Sequence, residues 1–163
     1  MKHQIINNFM DPVLYSSIRD TLTGNTFWWS YVDHVDWTPS KEEYHFQTEI
    51  VRHSTLLGNF YINYLNMVKP ALEKIPHKKI HSLSFHMLTK RPKILKYPIT
   101  KFRENSKLCL LFGNQSDGGI EIDGETIESK ENTLVSFSAK NKLSFMFPVK
   151  YKITTFVLIN YNE

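Results

Sequence analysis

Apolar residues recur along this chain in two rhythms: three and four residues apart over the first half, and in alternation from about residue 80 onward. The helical rhythm begins after Asp11-Pro12, an N-cap residue followed by a proline whose missing N–H costs nothing at the first helical position. Val13, Leu14, Ile18 and Leu22 follow at helical spacing, and Gly24 stands where a C-terminal cap belongs, so one amphipathic helix is predicted over 12–22. Phe27, Trp28 and Trp29 come next, an aromatic cluster read as a plug for the core. HFQTEIVR (45–52) alternates and predicts a strand. Leu56, Leu57, Phe60, Tyr64, Leu65, Val68, Leu72 and Ile75 predict a second helix, kinked or divided at Pro70.

Strands are predicted beyond that point. HSLSFHML (81–88) places Leu83, Phe85 and Met87 on one side. KLCLLFGN (107–114) is apolar on both faces, the pattern of a central buried strand. Asp123-Gly124 divides the alternating arms of 119–128 and predicts a hairpin. TLVSFS (133–138), LSFMF (143–147) and ITTFVLINY (153–161) complete the series. Short strands about ten residues apart, with turn residues between them, predict a sandwich or barrel with helices packed outside, a mainly β chain of the α+β class. No repeat, low-complexity tract or linker interrupts it, so a single domain over 1–163 is expected, with 1–79 as lead-in and 80–163 as the core strands.

Composition narrows the function. The chain has 163 residues, 41% hydrophobic and 22% charged, proportions that exclude wholesale disorder. No run nears the roughly 18 apolar residues of a membrane span, so no membrane partner is expected. The first dozen residues lack the apolar core of a signal peptide, so standard secretion is not expected. The one cysteine, Cys109, allows no internal disulfide, and a reduced intracellular setting follows. The net charge of +4 is uneven. Residues 69–107 hold eleven Lys/Arg against Glu73 and Glu104, a balance of +9, while 115–131 hold six acids against Lys130, a balance of −5. Such asymmetry marks either a basic face for nucleic acid and an acidic face for a partner, or two solvated surfaces that attract each other. The second reading is preferred, because the cations are spread through several elements.

Several catalytic arrangements are excluded. No G-x-S-x-G elbow is present. Cys109 sits in an apolar strand and reads as an inert core thiol. GNQSDGG (113–119) precedes a strand, so it lacks the helix N-terminus on which phosphate loops depend. HKK (77–79) and KRPK (90–93) carry charge that suits phosphate and suits an ordinary soluble loop equally well.

FWWSY (27–31), FQTEIV (46–51), YINYLNMVKPALEKI (61–75), SDGGIEIDGETIESKENTLVSF (116–137) and VLINYN (157–162) follow one another in a recognisable order and spacing. The series resembles the short 2-oxoglutarate/Fe(II) oxygenase-like proteins carried by tailed phages, which are double-stranded β-helix (jelly-roll) domains. The likeness covers most of the chain and implies a jelly-roll flanked by two or three helices.

The resemblance also implies where chemistry belongs. The family holds iron with H-x-D and a later His, and clamps the far carboxylate of 2-oxoglutarate with a cation on the last strand. Where H-x-D belongs the chain reads KYPITKF (96–102), around Tyr97. Where the later His belongs it reads SAKNKLSF (138–145), with Lys142 and Leu143 at the point. The clamp falls around Phe156, with Lys152 the nearest cation, on the same strand face by parity. A site without its ligands has no affinity for iron, so no metal, no cofactor and no catalytic residue is expected. His34-Val35-Asp36 spells the iron tripeptide about sixty residues too early. An exposed turn is the preferred reading there. The alternative is a metal on His34 and Asp36 with His77, His81 or His86 as third ligand.

The leading expectation is therefore a non-catalytic oxygenase-like jelly-roll protein of phage origin, a pseudoenzyme that serves as a protein-interaction module. It would be a virion or assembly component or an accessory factor, located in the host cytoplasm or the virion, with a viral or host protein as partner or with a second copy of itself. The candidate surfaces are basic (Lys78, Lys79, Lys90, Arg91, Lys93) and acidic (Glu121, Asp123, Glu125). Two alternatives stand beside it: an active Fe(II)/2-oxoglutarate-dependent dioxygenase, and a nucleic-acid-binding protein that uses the basic 69–107 segment.

Overall fold

Two antiparallel sheets face each other, and both helices pack on the outer face of the larger one. The computed structural model describes residues 3–25, 27–32, 45–99, 102 and 105–163. The strands are β1 (His3–Asn7), β2 (Ser30–Val32), β3 (His45–Arg52), β4 (Thr55–Leu56), β5 (Lys79–Thr89), β6 (Lys96–Ile99), β7 (Lys107–Phe112), β8 (Gly119–Ile122), β9 (Glu125–Glu128), β10 (Thr133–Ser138), β11 (Leu143–Met146) and β12 (Ile153–Asn162). The helices are α1 (Pro12–Thr23) and α2 (Ile62–Glu73). The larger sheet runs β1-β10-β7-β12-β5-β3-β2, with β4 paired to β3, and the smaller runs β6-β11-β8-β9.

Alternation along the strands divides the apolar side chains into two cores. Leu108, Leu110 and Phe112 of β7 join Val135, Phe156, Ile120, Leu143 and Phe145 between the sheets. Cys109 and Leu111, on the opposite face of β7, join Val157, Ile159 and Phe85 beneath the helices. That double burial explains why KLCLLF is apolar throughout.

Helix α1 starts as predicted, with the Asp11 carboxylate accepting the N–H groups of Val13 and Leu14 at 2.9 and 3.4 Å. Its buried stripe is Tyr15, Ile18 and Leu22. Val13 and Leu14 leave the predicted apolar face and are exposed. The Tyr15 hydroxyl donates to the Phe112 carbonyl at 3.1 Å, and burial pushes its pKa up to about 12. The aromatic plug is Phe27 and Trp29. Phe27 lies 4.4 Å from Trp29, 4.9 Å from Tyr64 and 5.2 Å from Phe85, whereas Trp28 is 67% exposed.

The second helix begins later than its apolar spacing suggests. His53 and Ser54, at φ 50° and 65°, reverse the chain so that Leu56 pairs with Val51 in a short hairpin. Pro70 lies inside α2 without dividing it. HSLSFHML is buried on both faces, Leu83 and Phe85 toward the helices and Ser84, His86 and Leu88 on the other side. The Asp123-Gly124 turn takes positive φ at both residues (49° and 87°), the geometry of a tight two-residue hairpin.

Candidate site at the barrel mouth

Sheet register sets the two ends of the barrel. Ile99 and Ile122 both pair with Leu143, so β6 ends and β11 begins at the same place. The chain passes from there to Lys107 and arrives there from Ser138, and Asn162 pairs with Lys79 at the same end of the larger sheet. Of the positions where the resemblance places an iron site, Leu143 lies at this end, the mouth, whereas Tyr97, opposite Phe145, and Phe156, opposite Phe112, lie deeper toward the other end.

Tyr97 and Phe156 join Phe145 and Phe112 in an aromatic column, and Leu143 lies in the same core. Tyr97 is 2% exposed, Leu143 2%, Phe145 1% and Phe156 0%. Tyr97 stacks on Phe145 at 6.4 Å, Phe145 meets Phe156 at 4.9 Å, and Phe156 meets Phe112 edge-on at 6.4 Å. Dispersion and area burial hold such a column together, and each ring contributes about 1.5–3 kcal/mol of transfer free energy.

One wall of the interior is polar, and the sequence reading missed it. His86 stacks on Phe156 at 4.9 Å and shares a 2.8 Å hydrogen bond with the Ser84 hydroxyl. Asn160 is 4% exposed, and its buried Oδ1 has no hydrogen-bond partner among the described residues. Gln47 and Glu49 of β3 stand opposite His86 and Ser84 in register. The signal was the polar residues at 82, 84 and 86, on the face of β5 that Leu83 and Phe85 leave.

The donor set of the described residues does not fit Fe(II). A facial triad needs two imidazoles and a carboxylate on one point. Here His86 is packed between rings, the Glu49 carboxylate accepts the Arg52 Nε–H at 2.7 Å, and among the described residues no group of three His, Cys, Asp or Glu side chains could hold a metal. His77 lies with Nδ1 2.8 Å from the Ile75 carbonyl oxygen, and His81 is buried in β5. His34 and Asp36 lie outside the described residues. Lys152 is not on the last strand: it is an exposed residue before β12 whose carbonyl accepts the Lys90 N–H at 2.9 Å.

Outside the column the mouth opens as a cleft of about 780 Å³, lined by residues that include Ile99, Phe102, Glu121, Asp123 and Lys142. Asp123 closes one side. Its carboxylate accepts the Asn141 amide at 2.6 Å and the Lys142 N–H at 2.9 Å, so the hairpin tip is tied to the β10–β11 turn. Lys96 pairs with Glu121, an attraction between the basic and acidic segments.

The other candidates are placed as follows. GNQSDGG works as scaffold at the far end. Asn114 Oδ1 accepts the Thr155 N–H at 2.7 Å, Ser116 shares a 2.7 Å bond with Thr154, and Asp117 accepts three backbone N–H groups of residues 149–151 at 2.9 to 3.2 Å. Gly118 is required there, since a Cβ would stand 2.2 Å from Thr154 Oγ1 and 2.8 Å from the Met146 carbonyl oxygen. Cys109 is fully buried, which pushes its thiol pKa up and disfavours the thiolate. The basic candidates part company: Lys78 and Lys79 lie at the mouth, whereas Lys90, Arg91 and Lys93 lie at the opposite end. Glu125 lies 3.6 Å from His3, across from β9 to β1.

No protein-family model matches the chain, and no curated protein does. Solved structures do. An oxidoreductase of the 2OG-Fe(II) oxygenase family from Burkholderia pseudomallei is similar at TM-score 0.68 and 10% identity, over 99% of this chain and 85% of that one. A prolyl hydroxylase from Trichoplax adhaerens, in complex with a hypoxia inducible factor peptide, is similar at TM-score 0.64 and 11% identity, over 99% and 83%. The epimerase SnoN of nogalamycin biosynthesis, in complex with Fe3+ and alpha ketoglutarate, is similar at TM-score 0.62 and 9% identity, over 99% and 79%. The chain has the oxygenase-like jelly-roll fold. These likenesses overturn the expectation that no cofactor attaches to this protein, because the fold it shares is that of iron- and 2-oxoglutarate-dependent enzymes. The fold and the described side chains thus disagree about iron, and no reaction step is derived through it. Among the described residues no helix is long and apolar enough to cross a membrane.

Proposed function

We propose that this chain is a phage-derived, oxygenase-fold binding module whose former catalytic positions now serve packing, and that it works through contacts with a viral or host protein. One observation carries the reading: Tyr97, Leu143 and Phe156, at the three positions the resemblance assigns to chemistry, are buried in one continuous apolar and aromatic core. Filled cores hold rigid scaffolds, and the remaining assets are surfaces. The acidic hairpin β8–β9 and the mouth cleft beside it are the contact region, because Asp123 fixes the hairpin tip and Glu121 lines the cleft.

Two measurements test the reading. Quantitative mass spectrometry of purified particles is expected to find the protein at a fixed copy number if it is a virion component, and to find it only in infected cells if it is an accessory factor. Succinate release from 2-oxoglutarate, supplied with Fe(II) and oxygen, is expected to stay at background. Turnover lost in a His34→Ala variant would replace this reading with the second one, an active dioxygenase, which the shared fold and the His34-Val35-Asp36 tripeptide favour.

A further inference from the structure

At the end of the barrel opposite the mouth, two loops that are distant in sequence lie side by side. The β5–β6 loop reads KRPKIL (90–95) and the β11–β12 loop reads FPVKYK (147–152). Three backbone bonds zip them together: Lys90 N–H to the Lys152 carbonyl at 2.9 Å, Arg91 N–H to the Pro148 carbonyl at 2.8 Å, and Phe147 N–H to the Leu95 carbonyl at 3.1 Å. Arg91 lies over the Phe147 ring, 4.9 Å from its centroid, which orients the guanidinium. The two loops together carry five cations; Arg91 and Lys93 are engaged within the protein, and Lys90, Lys150 and Lys152 are exposed. The nearby Asp117 carboxylate is turned onto the amides of Val149, Lys150 and Tyr151. Two large side chains stand among the charges, Tyr151 at 47% exposed and Ile94 at 70%.

We infer that this composite face binds single-stranded nucleic acid, with Lys90, Lys150 and Lys152 tracking the phosphates and Tyr151 stacking on a base. Clustered cations around an exposed ring form the sequence-tolerant arrangement for single strands, in which charge supplies affinity and the ring holds a base. An acidic peptide would use the charges and leave the ring without a role. The amides of residues 149–151, held on Asp117, keep Tyr151 and its flanking lysines in place before the ligand arrives, which lowers the ordering cost of binding. This surface lies at the other end of the barrel from the proposed protein contact and does not depend on it.

Fluorescence anisotropy of a labelled dT20 oligonucleotide against the full chain, over a salt series, tests the inference. Binding is expected, with a log–log salt slope of about −2, from the roughly −0.7 per cation that single strands give and the three exposed lysines. Lys150→Glu/Lys152→Glu is expected to weaken it at least tenfold. Tyr151→Ala is expected to weaken it about tenfold with the slope unchanged, and Lys78→Glu/Lys79→Glu at the mouth to leave it as it was. Far-UV circular dichroism and thermal melting report that each variant is folded. Absence of binding by the wild-type chain overturns the inference, as does an equal loss from the Lys78/Lys79 pair. So does a Tyr151→Ala variant that binds normally. Sedimentation with phosphatidylserine vesicles but no oligonucleotide binding would assign the face to an anionic membrane surface instead.

Discussion

His86 lies flat against Phe156, with ring centroids 4.9 Å apart and planes 12° from parallel. It also meets the edge of Phe145 at 5.1 Å and shares a hydrogen bond with the Ser84 hydroxyl. The imidazole is therefore part of the packing column. Phe156→Ala is expected to cost about 3–5 kcal/mol, the range for large aromatic truncations in a filled core. His86→Leu keeps volume and apolar contact and is expected to cost less than about 2 kcal/mol. Guanidinium chloride unfolding measures both, and a Phe156→Ala variant as stable as the parent would show that the interior is an adaptable pocket.

One side chain, Asn132, ties the segment between β1 and α1 to the start of β10. Asn132 donates from Nδ2 to the Met10 carbonyl at 2.9 Å and accepts the Met10 N–H on Oδ1 at 3.0 Å, while its own carbonyl accepts the Phe9 N–H at 3.0 Å. Its φ of 51° suits asparagine better than most residues. Asn132→Ala strands two buried backbone groups, at a cost of about 2–4 kcal/mol. Hydrogen exchange is expected to show lost protection over β1 and the start of α1 first.

The Asp117 carboxylate is partly buried, which by itself raises its pKa, but the backbone N–H groups of Lys150, Tyr151 and Val149 outweigh burial and hold it below its ordinary value. A lowered folded pKa means a stabilisation that is complete above the unfolded value and lost as pH falls through the folded one. The melting-temperature gap between the parent and Asp117→Asn is therefore expected to be full at pH 6 and to shrink below about pH 4, the ordinary carboxylate range. A gap that widens on acidification would reverse the assignment.

Cys109 has no exposed surface, and burial disfavours its thiolate. Labelling by a thiol reagent in native buffer is expected to proceed only through unfolding, at a rate that follows stability across the variants above. Stoichiometric labelling within seconds would mean that β7 opens locally.

Much of the layout was legible in local patterns, and the lapses have physical causes. β6 was not read as a strand because Pro98 lies in it, and an edge strand tolerates proline where a central one does not. β1 and β2 have five and three residues, too short to show a period. The helix predicted from Leu56 began late because apolar spacing could not reveal the reversal at His53-Ser54. The candidate site was legible only in part. Tyr97, Leu143 and Phe156 were located by ordered resemblance, yet the stacking of His86 depends on β5 and β12 lying in one register, which no local signal encodes.

From the order of its residues alone this chain settles what is local: the Asp11 cap, the Asp123-Gly124 hairpin, and the double-faced burial of β7 that makes it a central strand. Those follow from backbone sterics, hydrogen-bond supply and alternation, which act over a few residues. The folded chain adds the meetings between distant segments. The basic residues of 69–107 are one run in the sequence, but strand β5 carries Lys78 and Lys79 to one end of the barrel and Lys90 and Arg91 to the other, where Lys150 and Lys152 join them. That grouping is set by strand length and sheet register, which in turn are fixed by burying apolar side chains on both faces at once.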